Sequence, residues 1–337
     1  MPDLRARYLG LALRNPLVAS ASPHSHTVEG VRRLAAGGVG AVVIHSLFEE
    51  EVLEEAERAA ALAEAGSDSF AESLSYFPTP PGIETAGRRY LSVLERSVAA
   101  VDIPVVASLN GTTPAGWTRY ARDMESAGAA AIELNIYASP AGIEHTGREV
   151  EERHVEVLGL VKAAVSVPVA VKLSPYYSSV GEIALRLADA GADALVLFNR
   201  FLYPDLDPEV LAAVPGLGLS SPQEGRLART WIALLRRRLE IDLAASTGVE
   251  SAKDVVQYLL AGADVVMTTS ALLRHGPAYA QVLIDGLDAW LARKGFDSVD
   301  QVRGLLAVPA DQDLGRQARA IYVTALRHAN ATTAGPW

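Results

Sequence analysis

One phrase occurs four times along this chain: an Ala- or Leu-rich helix end, a glycine, then an apolar strand. It stands at Leu34-Ala35-Ala36-Gly37-Gly38-Val39-Gly40-Ala41-Val42-Val43-Ile44 and at Glu125-Ser126-Ala127-Gly128-Ala129-Ala130-Ala131-Ile132. It returns at Asp189-Ala190-Gly191-Ala192-Asp193-Ala194-Leu195-Val196 and at Leu260-Ala261-Gly262-Ala263-Asp264-Val265-Val266. Glycine after a helix supplies the left-handed cap, and the short loop turns straight into a β-branched strand. Four more strands read as Pro16 to Ser22, Pro104 to Leu109, Pro168 to Leu173 and Asp242 to Ser246, two of them with proline as the first residue. Helix starts are marked at Thr113-Pro114, Ser179-Val180-Gly181-Glu182 and Ser221-Pro222-Gln223-Glu224. Eight strands, each followed by a helix pattern, predict a closed (β/α)8 TIM barrel rather than an open doubly wound sheet. At 337 residues, half of them apolar, one large core is within reach. No boundary divides the chain, so residues 1–337 read as a single domain with a C-terminal helical extension, amphipathic from Ala318 to Arg327.

Two gaps exceed a plain strand-to-helix connection. Between Ser46 and Pro104 lie a charged helical stretch, Glu49 to Ala65, and the aromatic and proline-rich Leu74-Ser75-Tyr76-Phe77-Pro78-Thr79-Pro80-Pro81-Gly82. After Asn199 comes Phe201-Leu202-Tyr203-Pro204-Asp205. Both are expected as loops over the barrel mouth.

The chain contains no Cys, which removes disulfides, thiolate zinc sites, iron–sulfur clusters and a Cys nucleophile. Its formal charge of −10 argues against nucleic acid and anionic membranes as partners. The start, Met1-Pro2-Asp3-Leu4-Arg5, has no signal-peptide core, and no apolar run approaches a membrane span of about 20 residues. A cytoplasmic protein is expected.

In a barrel, the carboxyl ends of the strands converge on one mouth. Here they deliver Ala21-Ser22, His45-Ser46, Ser108, Asn110-Gly111, Asn135, Lys172, Asn199, Ser246-Thr247-Gly248 and Thr268-Thr269-Ser270. Small and amide side chains dominate, and no carboxylate pair of the kind glycosidases use is present. No metal site is expected: His24, His26 and His45 are the nearby imidazoles, and no acid completes a facial triad. Ser246-Thr247-Gly248 and Thr268-Thr269-Ser270 follow the last two strands, the place where this fold cradles phosphate. Lys172 ends an otherwise apolar strand among amides, with no acid in view to neutralise it, and reads as a fixed cation beside an electron-accepting ring or oxyanion. The stretch Ala130 to Pro140 stops an apolar run on Asn135 and continues into Ser139-Pro140, forming one wall of the site.

With these residues in order, the chain resembles the dihydroorotate dehydrogenase family of flavin barrels. The resemblance runs from Asn15-Pro16-Leu17-Val18 to about Pro277, through Glu133-Leu134-Asn135, Val171-Lys172-Leu173-Ser174-Pro175, Asn199 and Gly262-Ala263 to Thr269-Ser270-Ala271-Leu272 and Gly276-Pro277. Ser46-Leu47-Phe48-Glu49-Glu50 and Leu74-Ser75-Tyr76-Phe77-Pro78 are similar to a divergent, dihydroorotate dehydrogenase-like branch. The resemblance implies a tightly bound FMN. Ala21, Ser22, Ser46, Asn110, Asn135 and Lys172 would line its ring, and Ser220-Ser221 would sit near the ring and ribityl chain. Thr247-Gly248 and Thr269-Ser270 would hold the phosphate, with Thr247 standing where the family pattern has a glycine.

The substrate half departs from the family. The strand-four loop reads Asn135-Ile136-Tyr137-Ala138-Ser139-Pro140-Ala141, one residue longer than the family's. Ser139, directly before the proline, is the candidate catalytic base, although the extra residue can bring Ala138 to that place. Ala141 replaces the Asn that contacts the orotate ring, His45 replaces the strand-two Lys, and Leu74 or Ser75 replaces a further Asn. Each lost partner costs about 1–3 kcal/mol, so the three together amount to roughly two to six powers of ten in orotate affinity.

The implied activity is an FMN oxidoreductase of pyrimidine biosynthesis type acting on a CH–CH bond, its substrate altered from dihydroorotate to a related cyclic or unsaturated acid. Lys172 and Ser139 are the catalytic candidates, and His45, Asn135 and Asn199 the substrate-binding ones, with His45 and Lys172 able to meet a carboxylate. Electrons would leave to a separate small-molecule or protein acceptor, and the family suggests a homodimer. The alternative is a non-redox phosphate-binding barrel, a lyase or isomerase using Lys172. Flavin-dependent RNA reductases would want a Cys and a basic surface, and both are missing from the sequence.

Overall fold

The computed structural model describes residues 1–55, 57, 86–111, 113–136, 144–200, 204–216 and 218–331. Eight parallel strands close into a barrel: β3 (Leu17–Ala19), β4 (Ala41–Phe48), β5 (Val105–Asn110), β6 (Ala131–Asn135), β7 (Val169–Leu173), β8 (Ala194–Leu197), β11 (Asp242–Ala245) and β12 (Val265–Thr268). These are the eight strands expected, four from the repeated phrase and four from the other apolar runs. Their order around the barrel follows the sequence, and β11 pairs with β8 while β12 pairs with β3 to close the ring. Pro104 and Pro168 stand one residue before their strands instead of opening them. The helices that follow the strands include α1 (Val28–Ala36), α4 (Pro114–Ser126), α6 (Val180–Asp189) and α8 (Ala252–Ala261).

The side-chain alternation of a strand sorts the barrel into two cores. Outward positions such as Leu17, Ile44, Leu109, Ile132, Leu134, Val171 and Leu197 pack against the helices. Inward positions are smaller: Val18, Ala41, Val106, Ala131, Ala170, Ala194 and Ala244. The space these small residues leave is filled from below by an N-terminal hairpin, β1 (Ala6–Tyr8) paired with β2 (Leu11–Leu13). Its turn places Leu9 at φ 55° and Gly10 at φ 74°, the backbone of a two-residue hairpin loop. Leu9 is buried there, and its N–H donates to Asp242 Oδ2 at 2.7 Å. Burying a side chain of this size contributes about 1.5–3 kcal/mol, enough to offset a left-handed leucine.

The expected left-handed glycines are present at Gly38 (φ 105°), Gly128 (φ 91°), Gly191 (φ 94°) and Gly262 (φ 119°). In the first repeat the role falls to the second glycine, because Gly37 is right-handed. Thr113 and Ser179 cap α4 and α6 as anticipated. Ser221 does not open a helix. It begins a turn in which its N–H donates to Glu224 Oε2 at 2.6 Å, and α7 (Gly225–Leu235) starts only afterwards.

Of the two long connections, residues 49–55 are helical (α2), and Glu55 accepts from the Ala86 N–H and pairs with Arg89 at the start of α3 (Ala86–Ala100). The stretches 58–65 and 74–82 lie outside the described residues, as do Phe201, Leu202 and Tyr203. Pro204 and Asp205 belong to a second antiparallel hairpin, β9 (Pro204–Asp207) with β10 (Ala212–Pro215). The chain's last described element is α12 (Leu314–Ala331), longer than the amphipathic stretch read from the sequence. Trp117 is buried and Trp231 and Trp290 pack on the core, while Trp337 lies outside the described residues. Among the described residues no helix is long and apolar enough to cross a membrane.

Candidate active site

Above the small inner layer, the same inward positions turn polar at the top of five strands. Ser20 follows Val18, Ser108 and Asn110 follow Val106, Glu133 and Asn135 follow Ala131, Lys172 follows Ala170, and Ser246 follows Ala244. A period of two therefore carries these five strands from a hydrophobic floor to a hydrophilic mouth.

Strand β4 breaks this pattern. A bulge between Val43 and Ser46 inserts one extra residue against β5. Bulges re-aim side chains at barrel rims. Here His45 stacks on His26 with ring centroids 4.0 Å apart and meets the Tyr90 ring edge-on at 5.0 Å. The Tyr90 hydroxyl takes both main-chain groups of Ser108, accepting from its N–H at 2.9 Å and donating to its carbonyl at 3.1 Å. Ser46 Oγ lies 2.8 Å from Ser108 Oγ. Burial, and next the neighbouring His26, push the His45 imidazole down to about 4. His45 is thus neutral at pH 7, able to offer a carboxylate a ring hydrogen bond but no charge.

Lys172 also departs from expectation. Glu133 and Lys172 sit on neighbouring strands, and Lys172 Nζ lies 3.2 Å from Glu133 Oε1 and 3.4 Å from Ser20 Oγ. Both charged side chains are buried, and Glu133 Oε2 has no hydrogen-bond partner. Lys172 is half of an internal ion pair. Sequence reasoning missed Glu133, although residues two apart on a strand share a face and Asn135 had already been placed in the site.

Asn199 Nδ2 donates to Asn135 Oδ1 at 2.7 Å, so the amides at the ends of β6 and β8 meet. Asn110 is buried at the end of β5, and Ala21 and Ser22 follow β3 into a single turn of 3-10 helix, Pro23–Ser25. Arg200, which the sequence reading did not single out, pairs with Glu224 at 2.9 Å. Ser139 and its neighbours 137–143 lie outside the described residues.

On the opposite side, Ser220, Gly248 and Ser270 are drawn together. The Ser220 N–H and hydroxyl reach Ser270 Oγ at 3.0 and 2.9 Å, and the Gly248 N–H donates to Ser220 Oγ at 3.2 Å. Thr247 and Gly248 both take left-handed backbone, at φ 78° and 71°. Thr247 thus keeps the conformation a glycine favours, held by Oγ1 donating to the Phe198 carbonyl at 3.2 Å and by Tyr258 donating to its carbonyl at 2.7 Å. Thr269 Oγ1 donates to the Ser20 carbonyl at 3.4 Å. Ser270 opens α9 (Ser270–His275), whose first-turn N–H groups have no acceptor within the helix.

A cavity of about 310 Å³ on this side contains Lys172, Ser220, Thr247, Gly248, Thr269 and Ser270. It shares Ala21, Ser22, Asn199 and Arg200 with a second cavity that holds His45, Asn110 and Asn135. The two make one cleft, with Lys172, hydroxyls and main-chain N–H groups in one part and the His45 ring with the Asn110 and Asn135 amides in the other.

The sequence pattern described as dihydroorotate dehydrogenase matches residues 3–291 of the chain. Over 310 residues the chain is 30% identical to the catalytic subunit of dihydroorotate dehydrogenase B (NAD(+)) from Methanothermobacter thermautotrophicus, covering 90% of this chain and 98% of that protein. It is 30% identical over 275 residues to a putative dihydroorotate dehydrogenase A (fumarate) from Aeropyrum pernix, covering 73% and 88%. The catalytic subunit of dihydroorotate dehydrogenase B from Geotalea daltonii shares 26% over 328 residues, covering 91% and 99%.

Proposed function

Because the chain belongs to the dihydroorotate dehydrogenase family, we propose that it is an FMN-dependent dehydrogenase of CH–CH bonds working on a substrate other than dihydroorotate. The observation that carries this reading is the single cleft in which the Ser220–Gly248–Ser270 cradle and Lys172 line one cavity and Asn110 and Asn135 line the adjoining one. Its chemistry fits a flavin mononucleotide, which needs a phosphate seat and a polar partner for its ring. Thr247, Gly248, Thr269 and Ser270 would hold the phosphate, with Ser220 and Ser221 along the ribityl chain. Ala21, Ser22, Ser46, Asn110, Asn135 and Lys172 would surround the ring. FMN supplies a hydride acceptor at N5.

The protein's own residues supply the rest. Ser139 takes the proton lost from the carbon next to the hydride donor, Asn135 and Asn199 fix the substrate through amide hydrogen bonds, and Lys172 holds positive charge at the ring. The substrate change follows from Ala141, His45 and Leu74 or Ser75, which stand where the family pattern has polar contacts to orotate. With no Cys in the chain, electrons pass to a separate acceptor rather than through an internal iron–sulfur relay. The lyase or isomerase reading gains nothing from the geometry, since the ion pair with Glu133 engages the ammonium that a Schiff-base lysine must give up.

The visible absorption spectrum of the purified protein tests the proposal. A flavin spectrum, present at once or after adding FMN, is the expected result. A colourless protein that takes up no FMN refutes it.

A further inference from the structure

Resting on that flavin reading, we propose that this site takes an uncharged ring compound rather than a carboxylate. The argument is an accounting of charge at the mouth. Lys172 is committed to Glu133 at 3.2 Å, and Arg200 to Glu224 at 2.9 Å. Arg89 is held by Glu55, and Arg274 by Glu250. Among the described residues, each Lys or Arg that lines the cleft has a carboxylate partner.

His45 adds no charge. It stands on strand two, flat against His26, and burial together with that neighbour keeps it neutral at pH 7. Glu50 and Glu51 line the same cavity and repel an incoming anion, as does the overall charge of −10. A carboxylate drawn in would lose its water without gaining a free cation among the described residues, which is a net loss.

An uncharged ring meets different conditions. The His26, His45 and Tyr90 rings offer flat apolar faces and edges. Asn110, Asn135 and Asn199 offer amide donors and acceptors suited to ring carbonyl and N–H groups. The replacement of a lysine by a stacked, neutral imidazole is therefore the residue change that sets substrate class.

The test compares two ligands that share a ring and differ by the carboxylate, orotate and uracil, titrated by calorimetry into the FMN-loaded protein, with cyclohex-2-enone as a second uncharged probe. The expected result is an uncharged probe bound at least tenfold more tightly than orotate. His45→Lys should then gain at least tenfold for orotate while uracil changes by less than threefold. A yellow protein that binds orotate as tightly as uracil overturns this inference alone, and so does one that binds neither uncharged probe or gains nothing from His45→Lys. A protein that takes up no FMN overturns the flavin reading and this inference with it.

Discussion

Glu133 Oε1 stands 3.2 Å from Lys172 Nζ, with the two side chains 1% and 9% exposed. The pair ties β6 to β7 inside the barrel, where neither charge has water to fall back on. Removing one member of such a pair costs about 3–5 kcal/mol, because the other stays buried and unpaired. Lys172→Met is expected to lose that much in urea unfolding, and adding Glu133→Gln to recover a large part of it. Strictly additive losses in the double-mutant cycle would show that the contact does not couple the residues.

Tyr90 supports the bulged part of β4 from outside. Its hydroxyl is the partner of both main-chain groups of the fully buried Ser108. Tyr90→Phe keeps the ring against His45 and deletes only the oxygen, leaving a buried N–H and a buried carbonyl to find other partners. A loss of about 1–3 kcal/mol in the unfolding free energy is expected. An unchanged urea midpoint would mean that water replaces the hydroxyl.

The His45 imidazole gives the protein an acid-sensitive window. It titrates at about 4 in the fold against an ordinary 6.5. Between those values the unfolded chain binds the extra proton, so stability rises with pH across the window and falls as pH drops from 6.5 toward 4. After a discount for its contact with solvent, the effect amounts to roughly 1–2 kcal/mol. His154, buried on α5 (Gly147–Lys162), is lowered by burial and acts in the same direction. The urea midpoint of His45→Gln at pH 4.5 and 6.5 separates the two: its acid-induced drop should be smaller than that of the unmodified protein.

At the far end of the barrel, Asp264 is 1% exposed and accepts from Arg236 at 2.8 Å, Arg303 at 2.7 Å and the Leu243 N–H at 2.8 Å. Asp264→Asn takes the anion from Arg236 and leaves Arg303 with Asp300 alone, at 3.0 Å. A destabilisation of about 3–5 kcal/mol is expected by urea unfolding. The affinity for FMN should be untouched, because the cradle of Ser220, Gly248 and Ser270 lies at the opposite end.

The barrel could be read from the chain because its strands are continuous apolar runs and its helix ends are marked by glycine, and both signals are local. Lys172, Thr247 and Ser270 could be singled out for the same reason, since each stands at the end of a strand that announces itself, whereas Ser220 was implied only by the family resemblance. The N-terminal hairpin was missed. Its strands are three residues long, too short to show alternation, and its purpose is visible only once the inner layer proves to be alanine-rich. Glu133 was read as a motif residue, but its partner is 39 residues away, and only the register of β6 on β7 brings them together. The neutrality of His45 depends on His26 and on burial, neither of which a linear sequence displays.

The hairpin of β1 and β2 stoppers one end of the barrel with Tyr8, Leu9 and Leu13. Among the described residues, the axis of the barrel therefore opens at one end. Under the proposed function, a donor and a small-molecule acceptor would come in by that route and take turns. For an enzyme built this way, the donor's product leaves before the acceptor enters, and initial rates measured against both should trace parallel lines in a double-reciprocal plot.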